Sequence, residues 1–339
     1  HRSNYATINR RAKQIANALD AMGLAQSARV GTLAWNGYRH FELYYGVSGS
    51  GRVLHTLNPR LHPEQLAWII NHAEDEALCF DMTFLPLVKA VAAKLPTVKR
   101  FIALCDADKL PADSGIPNLQ SYETWIGAHS DQYVWPAFDE NLASSLCYTS
   151  GTTGNPKAAL YSHRSTTLHA YAAALPDVMC LSARDSVLPV VPMFHVNAWG
   201  IPYSAALTGC KLVFPGPALD GKSVYELIEA EGVTFAAGVP TGTTVHIMTD
   251  PTPHWQTLQL NGSGFVEGAS TYLFAGASLA DTDVNAGPDV TYAYPTYVEN
   301  GTAYVDNVAH GFGSVRISTA GGTSALLALN LLDPARGQL

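Results

Sequence analysis

Between Tyr5 and Cys105 helical and strand periodicities alternate, and few architectures tolerate that rhythm. Tyr5, Ile8, Ala12, Ile15, Leu19 and Met22 recur at helical spacing, and the pattern ends near Gly23. Residues 29–35 form a short apolar strand, 41–47 read as helix followed by Ser48-Gly49-Ser50-Gly51, and 53–57 read as a second strand. Pro63 suits the first turn of a helix carrying Leu66, Ile69, Ile70 and Ala73, because a backbone N–H has no helical partner there anyway. Residues 77–80 and 100–105 are strands around a helix over 85–95. Strands alternating with helices predict an α/β fold of layered, largely parallel sheets flanked by helices. A polar, proline-containing stretch at 106–120 interrupts the pattern.

After a connector near 130–141, a strand over 143–149 runs into Thr149-Ser150-Gly151-Thr152-Thr153-Gly154-Asn155-Pro156-Lys157, and 158–161 return as a strand. Ser162 is placed to cap the helix that follows. Glycines let the backbone turn and approach a ligand closely. Successive N–H groups in such a turn form a nest for anions, the hydroxyls of Thr149, Ser150, Thr152 and Thr153 add donors, and Lys157 adds a point charge suited to phosphate. The chemistry implied is the cradling of a polyphosphate. The spacing of a Walker loop is absent. A plain polar surface turn is the competing reading. Further strands are expected at 187–191, 211–214 and 234–237, with a helix at 223–231.

The complete string from Thr149 to Lys157 resembles the phosphate loop of the adenylate-forming superfamily: acyl-CoA synthetases, luciferases and peptide-synthetase adenylation domains. Pro192-Met193-Phe194-His195-Val196-Asn197-Ala198-Trp199-Gly200 and Gly238-Val239-Pro240-Thr241 follow at that family's spacing. The tract with Trp35-Asn36 and His55-Thr56-Leu57-Asn58-Pro59-Arg60 is similar to the medium- and long-chain fatty-acid branch. The resemblance covers about residues 1–241 and implies the large N-terminal domain of those enzymes. It implies ATP and magnesium as cofactors, a small-molecule carboxylic acid as substrate and coenzyme A as acceptor. It assigns ATP phosphates to Thr149, Ser150, Gly151, Thr152, Thr153, Gly154 and Lys157, and names Lys157, His195 and Thr152 as catalytic. It places His195, Asn197, Trp199, Gly238, Pro240 and Thr241 on the acyl side. Each of the latter also has a structural reading: a carbonyl-bound histidine, a core tryptophan, a tight strand-to-helix turn. No metal ligand is assigned, and a homodimer is an assembly the resemblance admits.

Four departures qualify the match. Ala158 stands where relatives usually carry glycine, so the loop exit is expected to be stiffer or shifted. At Gly242 the composition changes: no lysine follows Lys222, and Arg316 and Arg336 are the only arginines beyond that point. Short strands at 290–294, 302–305 and 314–317 give this part a β-rich reading. Leu273–Leu279 and Tyr292–Glu299 match the family's adenine-side strings weakly, and Asp306 and Arg316 match its ribose-side pair at the wrong spacing. Third, the family's C-terminal lysine, which approaches the α-phosphate, has no counterpart. Adenylation is therefore expected to be slowed by about two to four powers of ten. Finally, the chain enters directly on a helix, so its start is expected to be truncated. The organisation expected is two α/β subdomains, 1–141 and 142–241, and a divergent β-rich segment, 242–339.

Composition closes off other classes. A net charge of -8 argues against a nucleic-acid surface. Cys79, Cys105, Cys147, Cys180 and Cys210 are scattered without a C-x-x-C pair, which points to reduced thiols and a cytoplasmic setting. No apolar run is long enough to span a membrane, and no nucleophile-elbow or zinc motif is present. Two functions remain: ATP-dependent activation of a fatty acid as acyl-adenylate, complete or as a partial reaction, and a non-catalytic nucleotide- or acyl-binding remnant. A separate activity in 242–339 has no motif behind it.

Overall fold

The computed structural model describes residues 1–148 and 156–238, and beyond them the strand segments 256–261, 271–275, 292–299, 302–308, 314–316 and 329–332. The chain divides into two units, His1–Phe235 and Ala236–Leu339. The first opens with α1 (Tyr5–Ala21), β1 (Arg29–Leu33), α2 (Tyr38–Gly49), β2 (Val53–Thr56), α3 (Pro63–Ala73), β3 (Asp75–Phe80), α4 (Leu85–Val91) and β4 (Arg100–Ala103). It continues with β5 (Leu119–Ser121), α5 (Tyr122–Gly127), β6 (Ala143–Tyr148), β7 (Ala158–Ser162) and α6 (His163–Ala174). These strands form one sheet in the order β5-β4-β3-β1-β2-β6-β7. Every neighbouring pair is parallel except β6 and β7. The expected layered α/β architecture is present.

Local chemistry explains the elements. Asn4 caps α1, its side chain accepting from the Thr7 N–H at 2.9 Å, and Ile8, Ala12, Ile15, Ala16 and Leu19 turn one face inward. Pro63 occupies the first turn of α3. Ser162 and Ser165 cap α6 reciprocally, each hydroxyl accepting the other's N–H at 3.0 Å. Leu33, Leu57, Leu66, Ile69, Ile70, Leu78, Phe80, Val88 and Phe101 are buried together between the sheet and the helices α3 and α4. In this sheet's connections two helices depart from expectation. The helix expected over 85–95 yields at Val91 to a short 3-10 turn. The polar interruption ends in β5 and α5, which the sequence did not announce: Tyr122, Trp125 and Ile126 are buried, and Ser121 caps the helix. Six residues carry too few apolar repeats to show a helical period.

A second sheet follows, built from β8 (Ser186–Pro189), β9 (Lys211–Leu212) and β10 (Phe235–Ala237) in the order β10-β8-β9; the boundary between the units falls within β10. Between its strands lie α7 (Ile201–Thr208), not expected from sequence, and α8 (Gly221–Glu231). In the second unit β11 (Gln256–Asn261), β12 (Thr271–Ala275), β13 (Tyr292–Glu299), β14 (Thr302–Val308), β15 (Ser314–Arg316) and β16 (Leu329–Leu332) make a sheet ordered β15-β12-β13-β14-β11-β16, antiparallel at every pair.

Candidate active site: a hairpin loop and a wall turn

β6 and β7 form a hairpin, and its last pair is Tyr148 opposite Ala158. The connection between them is therefore residues 149–157, the Thr/Ser/Gly/Lys string itself. Thr149, Ser150, Gly151, Thr152, Thr153 and Gly154 lie outside the described residues, while Lys157 is exposed at the loop exit. Ala158 already belongs to the extended strand and has no positive φ, so the missing glycine carries no strain there.

The root of this loop is held firmly. The Tyr148 hydroxyl is 2.7 Å from His72 Nδ1, and the His72 ring stacks on Trp68 at 4.7 Å. Beneath lies a buried pair, His55 and Asp75, with Nδ1 2.8 Å from Oδ2, and the Tyr148 ring is 5.2 Å from that of His55. Asp75 on β3 reaches His55 on β2 by crossing over Gly31 on β1, where an added Cβ would lie 2.9 Å from Asp75 Oδ2. Burial pushes the Asp75 carboxyl above its ordinary range, and His55 opposes that shift.

The second part of the site is the segment after β8. Asn36, buried at the end of β1, pins it: Nδ2 donates to the carbonyls of Pro189 and Val191 at 2.7 and 2.8 Å, and Oδ1 accepts from the Met193 N–H at 2.6 Å. The Tyr44 hydroxyl donates to the Met193 carbonyl at 2.5 Å. The chain then makes a left-handed turn, with φ of 48° at Val196, 49° at Asn197 and Ala198, and 55° at Trp199. Such a conformation costs about 1–2 kcal/mol per L-residue, and β-branched valine tolerates it worst. His169 packs against the end of the turn, where a Cβ on Gly200 would lie 2.6 Å from Nδ1.

This geometry sorts the residues the sequence singled out. His195 and Trp199 are exposed, whereas Asn197 is turned inward and 6% exposed. Asn197 Nδ2 donates to Ser145 Oγ at 2.9 Å, and Oδ1 faces the Cys147 thiol at 3.6 Å and the Tyr44 hydroxyl at 3.4 Å. Gly238 follows β10, half-buried; Pro240 and Thr241 lie outside the described residues. Burial raises the Cys147 thiol above its ordinary range and the Tyr44 phenol well above its own, so both stay protonated donors. Among the described residues no three His, Cys, Asp or Glu side chains converge as metal ligands, and no helix is long and apolar enough to cross a membrane. Glu299 and Asp306 lie in β13 and β14, Leu273 in β12 and Arg316 in β15, while 276–279 fall outside the description. Ser145, Cys147 and Tyr44 escaped sequence reading, since only the tertiary register brings them to Asn197.

Comparison with known proteins matches the AMP-binding enzyme family over residues 1–324, beyond the point where the sequence motifs fade. A medium-chain-fatty-acid–CoA ligase from Ectopseudomonas oleovorans is 56% identical over 239 residues, 70% of this chain and 44% of that protein. A 3-methylmercaptopropionyl-CoA ligase from Ruegeria lacuscaerulensis is 53% identical over 240 residues, 71% of this chain and 44% of that protein. The chain thus spans less than half the length of these relatives. Among solved structures, the inhibitor-bound N-terminal domain of FACL13 from Mycobacterium tuberculosis superposes with a TM-score of 0.58 at 27% identity, over 70% of this chain and 56% of that one.

Proposed function

Because the chain belongs to the AMP-binding enzyme family, we propose that it activates a fatty acid with ATP, forming an acyl-adenylate as fatty-acid–CoA ligases do. In this step a carboxylate oxygen of the acid attacks the α-phosphorus of ATP. A C(O)O–P bond forms, the bond to the departing pyrophosphate breaks, and no further reactant is needed. The observation that carries the reading is the β6–β7 hairpin, which presents the Thr/Ser/Gly/Lys loop as the whole of its connection and leaves Lys157 exposed at the exit.

In this reading Thr149, Ser150, Gly151, Thr152, Thr153 and Gly154 donate to the β- and γ-phosphates, and Lys157 neutralises charge on the leaving pyrophosphate. Catalysis of this kind is positioning together with fixed charge. His195 and Trp199 border the acid. Magnesium would travel with ATP, and no step is assigned to it. Coenzyme A is the acceptor class, and the five free thiols fit a reducing compartment such as the cytoplasm. The two relatives act, by name, on a medium-chain fatty acid and on 3-methylmercaptopropionate, so the acid panel must include short and long chains.

ATP–pyrophosphate exchange with octanoic, palmitic and short-chain acids tests the proposal. Acid-dependent exchange is expected, falling about 100- to 1000-fold in Lys157→Ala, the usual cost of one preorganised charge. No exchange with any acid, while ATP still binds in calorimetry, would replace the assignment with the second reading, a binding module. That reading is motivated by the change of composition at Gly242, past which the family's motifs fade.

A further inference from the structure

We infer that Asn197 is a positioning residue rather than a substrate contact: it pegs the strained wall turn to β6, the strand that launches the phosphate loop. The turn is unfavourable by itself, with consecutive residues at φ between 48° and 55°, so the surroundings must hold it. Asn197 is the member whose side chain does so. It sits at 6% exposure and donates to Ser145, which is fully buried, at 2.9 Å. Its Oδ1 faces Cys147, which also lies 3.1 Å from Thr56 Oγ1 on β2. Asparagine suits both demands, because it accepts left-handed backbone better than other L-residues with a side chain of this reach. Its neighbours two residues to either side, His195 and Trp199, are exposed. With Asn197 turned inward, these two are presented outward. Ser145 and Cys147 lie four and two residues before Thr149, so one peg sets the acyl wall and the root of the phosphate loop against each other.

The kinetic part of this inference rests on the proposed acid activation; the structural part does not. The test compares wild type with Asn197→Ala, Asn197→Gly, Ser145→Ala and the Asn197→Ala/Ser145→Ala pair. Two readouts are used: acrylamide quenching of Trp199, taken against a Trp199→Phe background, and the KM for octanoate in pyrophosphate exchange. Loss of a buried hydrogen bond of about 1 kcal/mol corresponds to roughly fivefold. Both Asn197 variants are expected to change Trp199 quenching and raise KM about fivefold, with kcat moving less. Ser145→Ala, which cannot touch substrate, is expected to act in the same direction, and the pair to be no worse than Asn197→Ala alone. A wild-type-like Asn197→Gly would overturn the peg, since backbone freedom alone would then suffice. A silent Ser145→Ala beside an impaired Asn197→Ala would also overturn it, by placing Asn197 on the acid. Wild-type protein without exchange would sink the proposed activity, and the quenching comparison alone would then decide the peg.

Discussion

His40 is buried, with Nδ1 3.1 Å from the Trp35 carbonyl and Nε2 3.0 Å from the Thr32 hydroxyl. Burial holds its pKa down at about 4, from 6.5, against the Trp35 bond that favours the charged ring. The folded state therefore refuses a proton that the unfolded chain accepts. Its contribution to stability is complete above pH 6.5 and is lost as the pH falls through 6.5 towards 4. Asp81, whose carboxylate accepts the Trp35 N–H at 2.6 Å, acts with the opposite sign: burial raises it to about 6 from 3.8. The fold then holds the Asp81 proton more tightly, and stability is gained as the pH falls from 6 towards 3.8. The two slopes oppose each other across nearly the same window. Urea unfolding at pH 7 and pH 4 should show the stability gap between wild type and His40→Gln shrink by about 3 kcal/mol. Asp81→Asn should expose the His40 slope that the aspartate masks. An unchanged gap would mean His40 is protonated in the fold. None of this was readable in sequence, where His40 and Asp81 carried no motif. Asn197 stood out in the sequence within the Pro192–Gly200 string, but its inward orientation did not, because that depends on a run of positive φ values that composition does not announce.

Helix packing shows how one glycine decides an interface. Gly46 on α2 faces α1, and a Cβ there would lie 2.6 Å from Ile15 Cβ and 2.9 Å from the Ala12 carbonyl. A glycine-to-alanine change inside a helix normally stabilises by about 0.5–1 kcal/mol. Overpacking against backbone costs about 1–3 kcal/mol, and here it should win. Gly46→Ala is predicted to lower the urea midpoint, with the m-value unchanged; a raised midpoint would show slack between α1 and α2. At this scale the sequence was informative where periodicity was long. The α1 and α3 faces, the Pro63 start and the Ser162 cap are all where pattern and capping chemistry place them. The short elements α5 and α7 were not seen, because six or eight residues show too little period and their burial comes from distant neighbours. The antiparallel return of β7, by contrast, was implicit in strand–loop–strand spacing.

Across the first unit, helices α1, α2 and α5 and the end of β4 are tied by one charge network. Arg11 donates to Glu42 at 2.7 Å and to both oxygens of Glu123 at 3.0 Å. Arg39 adds bonds to Glu123 at 2.8 Å, to the Leu104 carbonyl at 3.1 Å and to Asp106 at 2.5 Å. Glu42 is fully buried and takes the Tyr122 hydroxyl at 2.6 Å; burial pushes its carboxyl up, with Arg11 and Tyr122 opposing. Removing one partner of a buried pair costs about 3–5 kcal/mol, and the partial exposure of Arg11 favours the lower end. Arg11→Ala should lower Tm by roughly 10 °C in calorimetry, and Glu42→Gln, which removes the charge but keeps the shape, by clearly less. Equal losses would mean the network acts through its charges alone, since Glu42→Gln leaves the packing in place. The α/β alternation, the Thr/Ser/Gly/Lys string and the family are legible in the sequence alone, because each is written in local periodicity or in one contiguous string. The tertiary structure alone decided that Asp75 reaches His55 over Gly31, that Asn36 and Tyr44 hold the wall segment, and that Asn197 turns inward to Ser145. Those contacts join residues twenty to more than a hundred and fifty positions apart, and strand order and backbone handedness set them, not spacing along the chain.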